Sequence, residues 1–456
     1  MTQGYVRPAP GSAVARGFGH PGRVIAGAFL LAIAVGTALL SLPLATPGPE
    51  RAPFLTALFH ATSAVCVTGL VTVDTGTYWS GFGQGVILAL IQAGGLGIMT
   101  LATLVALLLS RRLGLRARLI AQAETKSLSA SDVRRVVGRV VLFSLACETV
   151  AAAVLTTRFA LGYDEPLPDA LYSGVFHAVS AFNNAGFGLR PDNLMGWVGD
   201  PWVSLTIAAA VIIGGLGFPV VFELLRSWRR PRTWTVLTRI TVVVTAVLLV
   251  VGTAGYLLAE WRNPRTLGPL SAVDSVMAAF VAGTMPRTAG FNNLDISALQ
   301  PETLFLTDAL MFIGGGSAGT AGGIKVTTFG LLAYVLWAEL RGDVDVEVGR
   351  RRVPPTNQRQ ALAVALLSIG VVAVATFAME AMTDFSFEQV LFETISAFST
   401  VGLSTGITPA LPPGAQLLVV LLMFVGRIGP LTLASGLALR DRARRYQLPE
   451  ERTIVG

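Results

Sequence analysis

Four short phrases along this chain carry the same residue types in the same order. The first runs from Phe59 through Ser63 to Gly69 and Leu70, the second from Phe176 through Ser180 to Gly186 and Phe187. The third runs from Phe280 through Thr284 to Gly290 and Phe291, the fourth from Phe392 through Ser396 to Gly402 and Leu403. Each places a hydroxyl residue about four positions after an aromatic and a glycine about ten positions after it. Glycine reaches backbone angles closed to other residues and lets chains approach closely. Four such segments meeting at one axis would offer a cation a ring of backbone carbonyls in place of its water. The residues directly ahead of the glycines are Thr68, Ala185, Ala289 and Val401, and none is a carboxylate. A divalent site would show acidic side chains, so the expected chemistry is carbonyl coordination of a dehydrated monovalent cation. The residues expected to form the filter are Val67, Thr68 and Gly69, Asn184, Ala185 and Gly186, Thr288, Ala289 and Gly290, and Thr400, Val401 and Gly402.

A period of about 100 to 120 residues is too long for a solenoid and suggests four modules around one axis. The composition says what surrounds them. Of 456 residues 53% are hydrophobic and only 13% are charged, against about 25% charged in a soluble domain. The chain therefore reads as an integral membrane protein. Each module opens with an apolar run long enough to span a bilayer, at roughly 23–45, 139–161, 236–259 and 360–382. A stretch too short to span follows, at roughly 53–66, 170–183, 271–284 and 387–399, and ends in the repeated phrase. A second long run closes the module, at roughly 81–109, 201–226, 302–338 and 414–438. The expected fold is all-α, with four tandem helix–pore loop–helix repeats around one central pore. It has eight spanning helices and four re-entrant half-helices, whose C-terminal dipole ends would favour a cation. The boundaries are a tail over 1–22, repeats over 23–115, 136–230, 233–342 and 357–440, and a tail over 441–456.

The net charge of +7 comes from basic residues gathered between the repeats, which is a membrane-topology signal and not a nucleic-acid footprint. Arg111, Arg112, Arg116, Arg118, Lys126, Arg134, Arg135 and Arg139 separate repeats one and two. Arg226, Arg229, Arg230, Arg232 and Arg239 separate two and three, and Arg341, Arg350, Arg351, Arg352 and Arg359 separate three and four. Arg440, Arg442, Arg444 and Arg445 follow the last run. The opposite loops carry acids such as Asp164, Glu165, Asp169, Asp192 and Asp200. Both tails are therefore expected in the cytoplasm, with the repeated phrases near the outer side of a plasma membrane.

A second element recurs about 25 to 35 residues after each filter glycine: Gly94-Gly95-Leu96-Gly97, then Gly214-Gly215-Leu216-Gly217-Phe218-Pro219, and finally Gly426-Arg427-Ile428-Gly429-Pro430. In the third repeat it expands to Gly314, Gly315, Gly316, Ser317, Ala318, Gly319, Thr320, Ala321, Gly322, Gly323, Ile324 and Lys325. At about 1 kcal/mol per glycine relative to alanine, that stretch cannot hold a helix. A break in mid-membrane is tolerated where it lines a cavity. The expectation is a mobile gate beneath the filter, against static kinking or close packing. A phosphate-binding loop is disfavoured, because the Gly-Lys-Ser/Thr ending is missing and the position is within the membrane. Arg427 stands amid apolar residues, where an arginine faces a pore or a partner. Lys325 either acts with it or marks the cytoplasmic end of its helix.

Glu148 could pair with an inter-helix arginine, and Asp308 and Glu393 read as supports of the half-helices or the outer mouth. Arg287 either offsets a carboxylate or anchors its loop. His60 and His177 occupy matching slots, but Val281 and Glu393 stand there in the other repeats, which favours support of the half-helix over a metal site. Cys66 and Cys147 are far apart in sequence in apolar surroundings, so no disulfide is expected.

On the four phrases, the glycine-rich third segment and Arg427, the chain resembles the Trk/Ktr/HKT superfamily of potassium transporters from about residue 23 to about 440. It is most similar to the Ktr-type membrane subunit, with no extra helix pair before the first repeat. The resemblance implies one filter glycine per loop at Gly69, Gly186, Gly290 and Gly402. Some plant relatives carry serine in the first slot and prefer Na+, so glycine in all four implies K+. It also implies that the segment from Gly314 to Lys325 obstructs the pore and that Arg427 lies below the filter. A homodimer and a cytosolic ring of nucleotide-binding RCK-type subunits are implied as partners, with K+ as transported ion and no organic cofactor in this chain. Na+-permeable or Na+-coupled transport is the nearest alternative. A secondary transporter of another solute would show inverted repeats, and these four share one orientation. An enzyme would need a clustered nucleophile, metal ligands or carboxylate pair, and only three histidines occur, none clustered. The K+-binding subunit of a P-type pump shares the four-module plan but is typically longer.

Overall fold

A computed structural model of the chain describes residues 21–48, 50–112, 130–349 and 351–438. Within them the order long helix, short helix, loop, long helix occurs four times. The first repeat is α1 (Pro21–Leu40), α2 (Phe54–Cys66) and α3 (Gly81–Arg112). The second is α4 (Ala130–Gly162), α5 (Leu167–Phe182), α6 (Pro201–Leu216) and α7 (Phe218–Ser227). The third is α8 (Val236–Glu260), α9 (Ala272–Thr284), α10 (Pro301–Phe312) and α11 (Val326–Arg341). The fourth is α12 (Pro355–Glu380), α13 (Phe387–Ser399) and α14 (Pro413–Ala438).

Burial in these helices is arranged for lipid. The short helices α2, α5, α9 and α13 sit at the centre, where Phe59, Phe176 and Phe392 are wholly buried. The long helices turn Leu142, Val150, Val250, Leu258, Val374 and Phe377 outward. An apolar exterior wrapped around polar loops suits a chain whose solvent is hydrocarbon. Among the described residues, Arg135–Gly162, Val236–Glu260 and Pro355–Glu380 are long and apolar enough to cross a membrane unaided, and the bent pair α6–α7 makes a fourth. The helix α1 has 20 residues, or about 30 Å at 1.5 Å per residue.

Two features go beyond the expected plan. The fold is helical as expected, with one small addition, an antiparallel ribbon of β1 (Glu347–Val348) and β2 (Arg351–Arg352) between repeats three and four. Gly349 turns it with φ +67°, and Val346, Val348 and Val353 bury themselves against Ile240 and Ala338. The break expected only in the third repeat also occurs in the second. There α6 and α7 meet at 101° across Gly217, whose φ of 90° and ψ of 140° only glycine adopts readily. Pro219 has no N–H to give the Gly215 carbonyl. That carbonyl instead accepts from Gly316 N–H at 2.7 Å, while Thr320 N–H bonds the Gly214 carbonyl at 3.2 Å. The helix is opened so that the glycine-rich segment can pair with it.

The expected basic residues Arg116, Arg118, Lys126, Arg350, Arg440, Arg442, Arg444 and Arg445, most of the tail 1–22 and the tail 441–456 lie outside the described residues.

Candidate functional site

The four phrases converge on a closed ring. A Cβ added to Gly69 would meet the Ala185 carbonyl at 2.5 Å, and one on Gly186 would meet the Ala289 carbonyl at 2.8 Å. One on Gly290 would overlap the Val401 carbonyl, and one on Gly402 would overlap the Thr68 carbonyl, which closes the cycle. Each glycine therefore packs against the peptide preceding the glycine of the next repeat, in chain order and back to the first. All four have positive φ, from 71° to 100°.

Two positions before each glycine the backbone is again left-handed. Val67, Asn184, Thr288 and Thr400 have φ of 55°, 58°, 63° and 50°. Asparagine tolerates this region, but for β-branched valine and threonine it is an outlier costing about 1–3 kcal/mol, held only where the surroundings impose it. The hydrogen bonds explain how it is imposed. The N–H of Thr68, Ala185 and Val401 turns back to the carbonyl of Ser63, Ser180 and Ser396 at 2.8, 2.8 and 2.9 Å. Gly69 N–H donates to Ser63 Oγ at 3.0 Å and Gly402 N–H to Ser396 Oγ at 3.1 Å. In the third repeat Ala289 N–H uses the Met285 carbonyl at 3.0 Å. The repeated hydroxyl thus ties the glycine to its half-helix in repeats one and four. Amide donors are spent on the helix ends, where the half-helix dipoles present negative charge. Ser63→Ala is expected to cost about 1 kcal/mol for the lost hydrogen bond, read as a lower unfolding temperature in detergent, with an unchanged temperature counting against the tie.

Above the ring lies a vestibule of about 310 Å³, lined by all four glycines together with Asp74, Arg190 and Asp295. Below it runs the segment from Gly314 to Lys325, which leaves α10 and rejoins α11. Its neck is pinched where Gly314 N–H donates to the Ile324 carbonyl at 2.8 Å. Its tip touches three of the four ring segments. Thr320 Oγ1 donates to Asn184 Oδ1 at 2.8 Å, Gly322 N–H donates to Thr288 Oγ1 at 3.3 Å, and a Cβ on Gly322 would overlap Thr400 Oγ1. Ser317 and Thr327 hydroxyls join at 2.7 Å. Gly217 lies so close that its Cβ would overlap the Ser317 carbonyl, and Phe218 N–H bonds the Ala318 carbonyl at 3.3 Å. Arg427 is 4% exposed and donates to the Thr320 carbonyl, with Nε and one terminal nitrogen unpaired. Lys325 stands at the N-terminal end of α11, and its Nζ lies 2.5 Å from the Ala321 carbonyl and 3.3 Å from that of Gly322 in the segment. Gly315, Gly316, Gly319 and Gly323 are each packed where a side chain would meet a neighbour. Elsewhere the second glycine element is a packing device: Cβ atoms on Gly94, Gly214 and Gly426 would overlap the carbonyls of Val65, Phe182 and Phe398 at the half-helix ends.

Glu148 differs from expectation. Among the described residues no arginine reaches it. It accepts from Gln92 at 3.0 and 3.1 Å and from Asn183 at 3.2 Å, so two amides bring hydrogen-bond donors to a buried carboxyl. Gln92 and Asn183 escaped notice in the sequence, although each is a polar residue at the edge of an apolar stretch. Arg287 meets no carboxylate among the described residues and anchors the loop after α9 to α8 through Thr245 Oγ1 at 3.1 Å. Glu393 braces the loop after the fourth phrase, accepting from Ser404 at 2.7 Å and from Thr408. Asp308 is buried with Oδ1 unpaired. His60 Nδ1 and Nε2 face the Thr56 and Val73 carbonyls at 3.0 and 3.3 Å, and His177 Nδ1 faces the Ser173 carbonyl at 2.8 Å, so both brace half-helices. Cys66 and Cys147 are free thiols.

Comparison with known proteins places these features in a lineage. The TrkH family model, described as a cation transport protein, matches residues 29–440. A "Ktr system potassium uptake protein B" of Bacillus subtilis is 41% identical over 96% of this chain and 97% of its own. A "Potassium/sodium uptake protein NtpJ" of Enterococcus hirae is 33% identical over 96% of this chain and 97% of its own. The crystal structure of the potassium transporter TrkH from Vibrio parahaemolyticus superposes with a TM-score of 0.68 at 19% identity, covering 90% of this chain and 84% of that one, a likeness of fold.

Proposed function

The chain belongs to the TrkH family of cation transport proteins, and from that premise we propose that it is the pore subunit of a K+ uptake system in a bacterial plasma membrane. The observation that carries the reading is the closed cycle in which Gly69, Gly186, Gly290 and Gly402 each abut the carbonyl ahead of the next glycine. A cation gathered in the vestibule exchanges its water for the carbonyls of the ring residues, and K+ is chosen because these are neutral oxygens held at fixed separation. Beneath them the segment from Gly314 to Lys325 acts as gate, latched to the ring through Thr320 and Gly322 and to α14 through Arg427. The ion moves down its electrochemical gradient and no chemistry is done on it, so the chain is not an enzyme.

The relatives' "Ktr system" names support a multi-component assembly. In this reading a homodimer of the chain sits on a cytosolic nucleotide-binding RCK-type ring, which acts on the gate. Both termini and the basic inter-repeat loops face that ring.

The test is uptake of radioactive rubidium and sodium into proteoliposomes holding the protein with its cytosolic partner. Rubidium uptake that excess K+ abolishes, and that equal Na+ leaves largely intact, is the expected result. Absence of both fluxes would refute transport. Equal competition by Na+ would instead select a Na+-permeable pore, the second reading, which the potassium/sodium name of the Enterococcus relative favours.

A further inference from the structure

Away from the ring, a lateral groove of about 560 Å³ lies between α10, α12 and α13. Its walls are apolar: Phe312, Ile369, Phe377 and Ile395 line it, and Phe377 is 79% exposed at its open side. Ile369 and Glu380 are eleven residues apart on α12, so the groove follows that helix for about 16 Å. This length suits an extended acyl chain.

One end of the groove is polar. Thr376 is only 5% exposed, and its Oγ1 has no hydrogen-bond partner. Glu380, the last residue of α12, holds a buried Oε1 that is likewise unpartnered. Both residues line the groove. The Glu380 carboxylate is the one charged group on an otherwise apolar lining, so an occupant that brings it hydrogen-bond donors is favoured.

We propose that this groove binds a membrane lipid with a primary-amine headgroup, its acyl chain along α12 and its ammonium donating to the half-buried Glu380 carboxylate. An ionised carboxylate offers acceptors only, so the headgroup must bring N–H donors. A quaternary ammonium carries the charge without a donor, and an anionic headgroup is repelled by the carboxylate. The occupant touches Phe312, at the end of α10 just before the segment beginning at Gly314, and Ile395 on the fourth half-helix. It is therefore placed to bias that segment, although the binding itself does not depend on the transport reading.

The experiment is native mass spectrometry of the purified full chain, equilibrated with phosphatidylethanolamine or phosphatidylcholine of identical acyl chains. Wild type is expected to retain the ethanolamine lipid about tenfold better, as a charge-assisted hydrogen bond provides. Glu380→Gln is expected to hold the two lipids alike. Ala373→Phe, which narrows the groove, is expected to lose both. Equal retention of the two lipids by wild type overturns the proposal, as does a preference undiminished in Glu380→Gln. Full-yield disulfide linkage of Phe377→Cys protein in membranes also overturns it, because a second copy of the chain would then fill the groove. If Ala373→Phe does not fold, Glu380→Gln carries the test.

Discussion

Gly402→Ser is expected to lower K+-competed rubidium uptake at least tenfold and to abolish discrimination against Na+. The reason is local and steric. Gly402 has φ +100°, a conformation that L side chains rarely adopt, and its Cβ would overlap the Thr68 carbonyl and crowd Gly69 Cα at 3.1 Å. Both neighbours are backbone, so no rotamer change relieves the clash. The fourth segment must move away from the first, and the carbonyl of Thr68 must tilt. Selectivity between ions of one charge rests on how many neutral dipoles reach the ion at which distance, so a shift of a few tenths of an ångström is enough to lose it. Gly370 provides the control, because a Cβ there meets nothing within 4 Å. Gly370→Ser is expected to transport as wild type does. Folded Gly402→Ser protein with unchanged uptake and selectivity would show that the ring is a packing junction and not the ion path.

The ring was legible because it is written four times. Each phrase carries its aromatic, hydroxyl and glycine at fixed spacing, and the short apolar stretch ahead of it is the half-helix, with Phe54–Cys66 and Ala272–Thr284 within a residue or two of the expected limits. What stayed hidden depends on partners distant in sequence. Gly214-Gly215-Leu216-Gly217 and Gly94-Gly95-Leu96-Gly97 are the same text, yet the helix bends by 101° in one and runs unbroken through the other. A nearby proline does not decide it, since Pro430 lies within a continuous α14. The deciding contacts are Gly316 N–H on the Gly215 carbonyl and Thr320 N–H on that of Gly214. They come from a segment about a hundred residues away, and no local pattern encodes them. Glu148 was hidden in the same way. Its apolar setting was plain, but its amide partners come from two other helices, α3 and the end of α5. Left-handed Val67 and Thr400 were equally unforeseeable, because local preference argues against them and tertiary contacts win.

Arg427→Gln is expected to raise K+ flux about tenfold and to make it less dependent on the proposed cytosolic partner. Two effects point the same way. The guanidinium donates to the Thr320 carbonyl, so it holds the tip of the glycine-rich segment against the ring. It is also a cation with one direct partner and 4% exposure, in the slot that Gly215 fills in the second repeat. For scale, any unit charge about 8 Å from a cation at an effective dielectric of about 20 costs that cation about 2 kcal/mol, or about thirtyfold in rate. Glutamine removes the charge and, being shorter, weakens the hold on Thr320. Arg427→Lys keeps the charge and gives up the guanidinium geometry of the single hydrogen bond to Thr320. A rise in Arg427→Gln with little change in Arg427→Lys makes the charge the dominant barrier. A rise in both makes the latch dominant. Stopped-flow or isotope flux on the two proteins, with and without the partner, separates these cases. Flux at or below wild type in folded Arg427→Gln protein would mean that the arginine stabilises the open path, and the segment from Gly314 to Lys325 would then need another restraint to act as a gate.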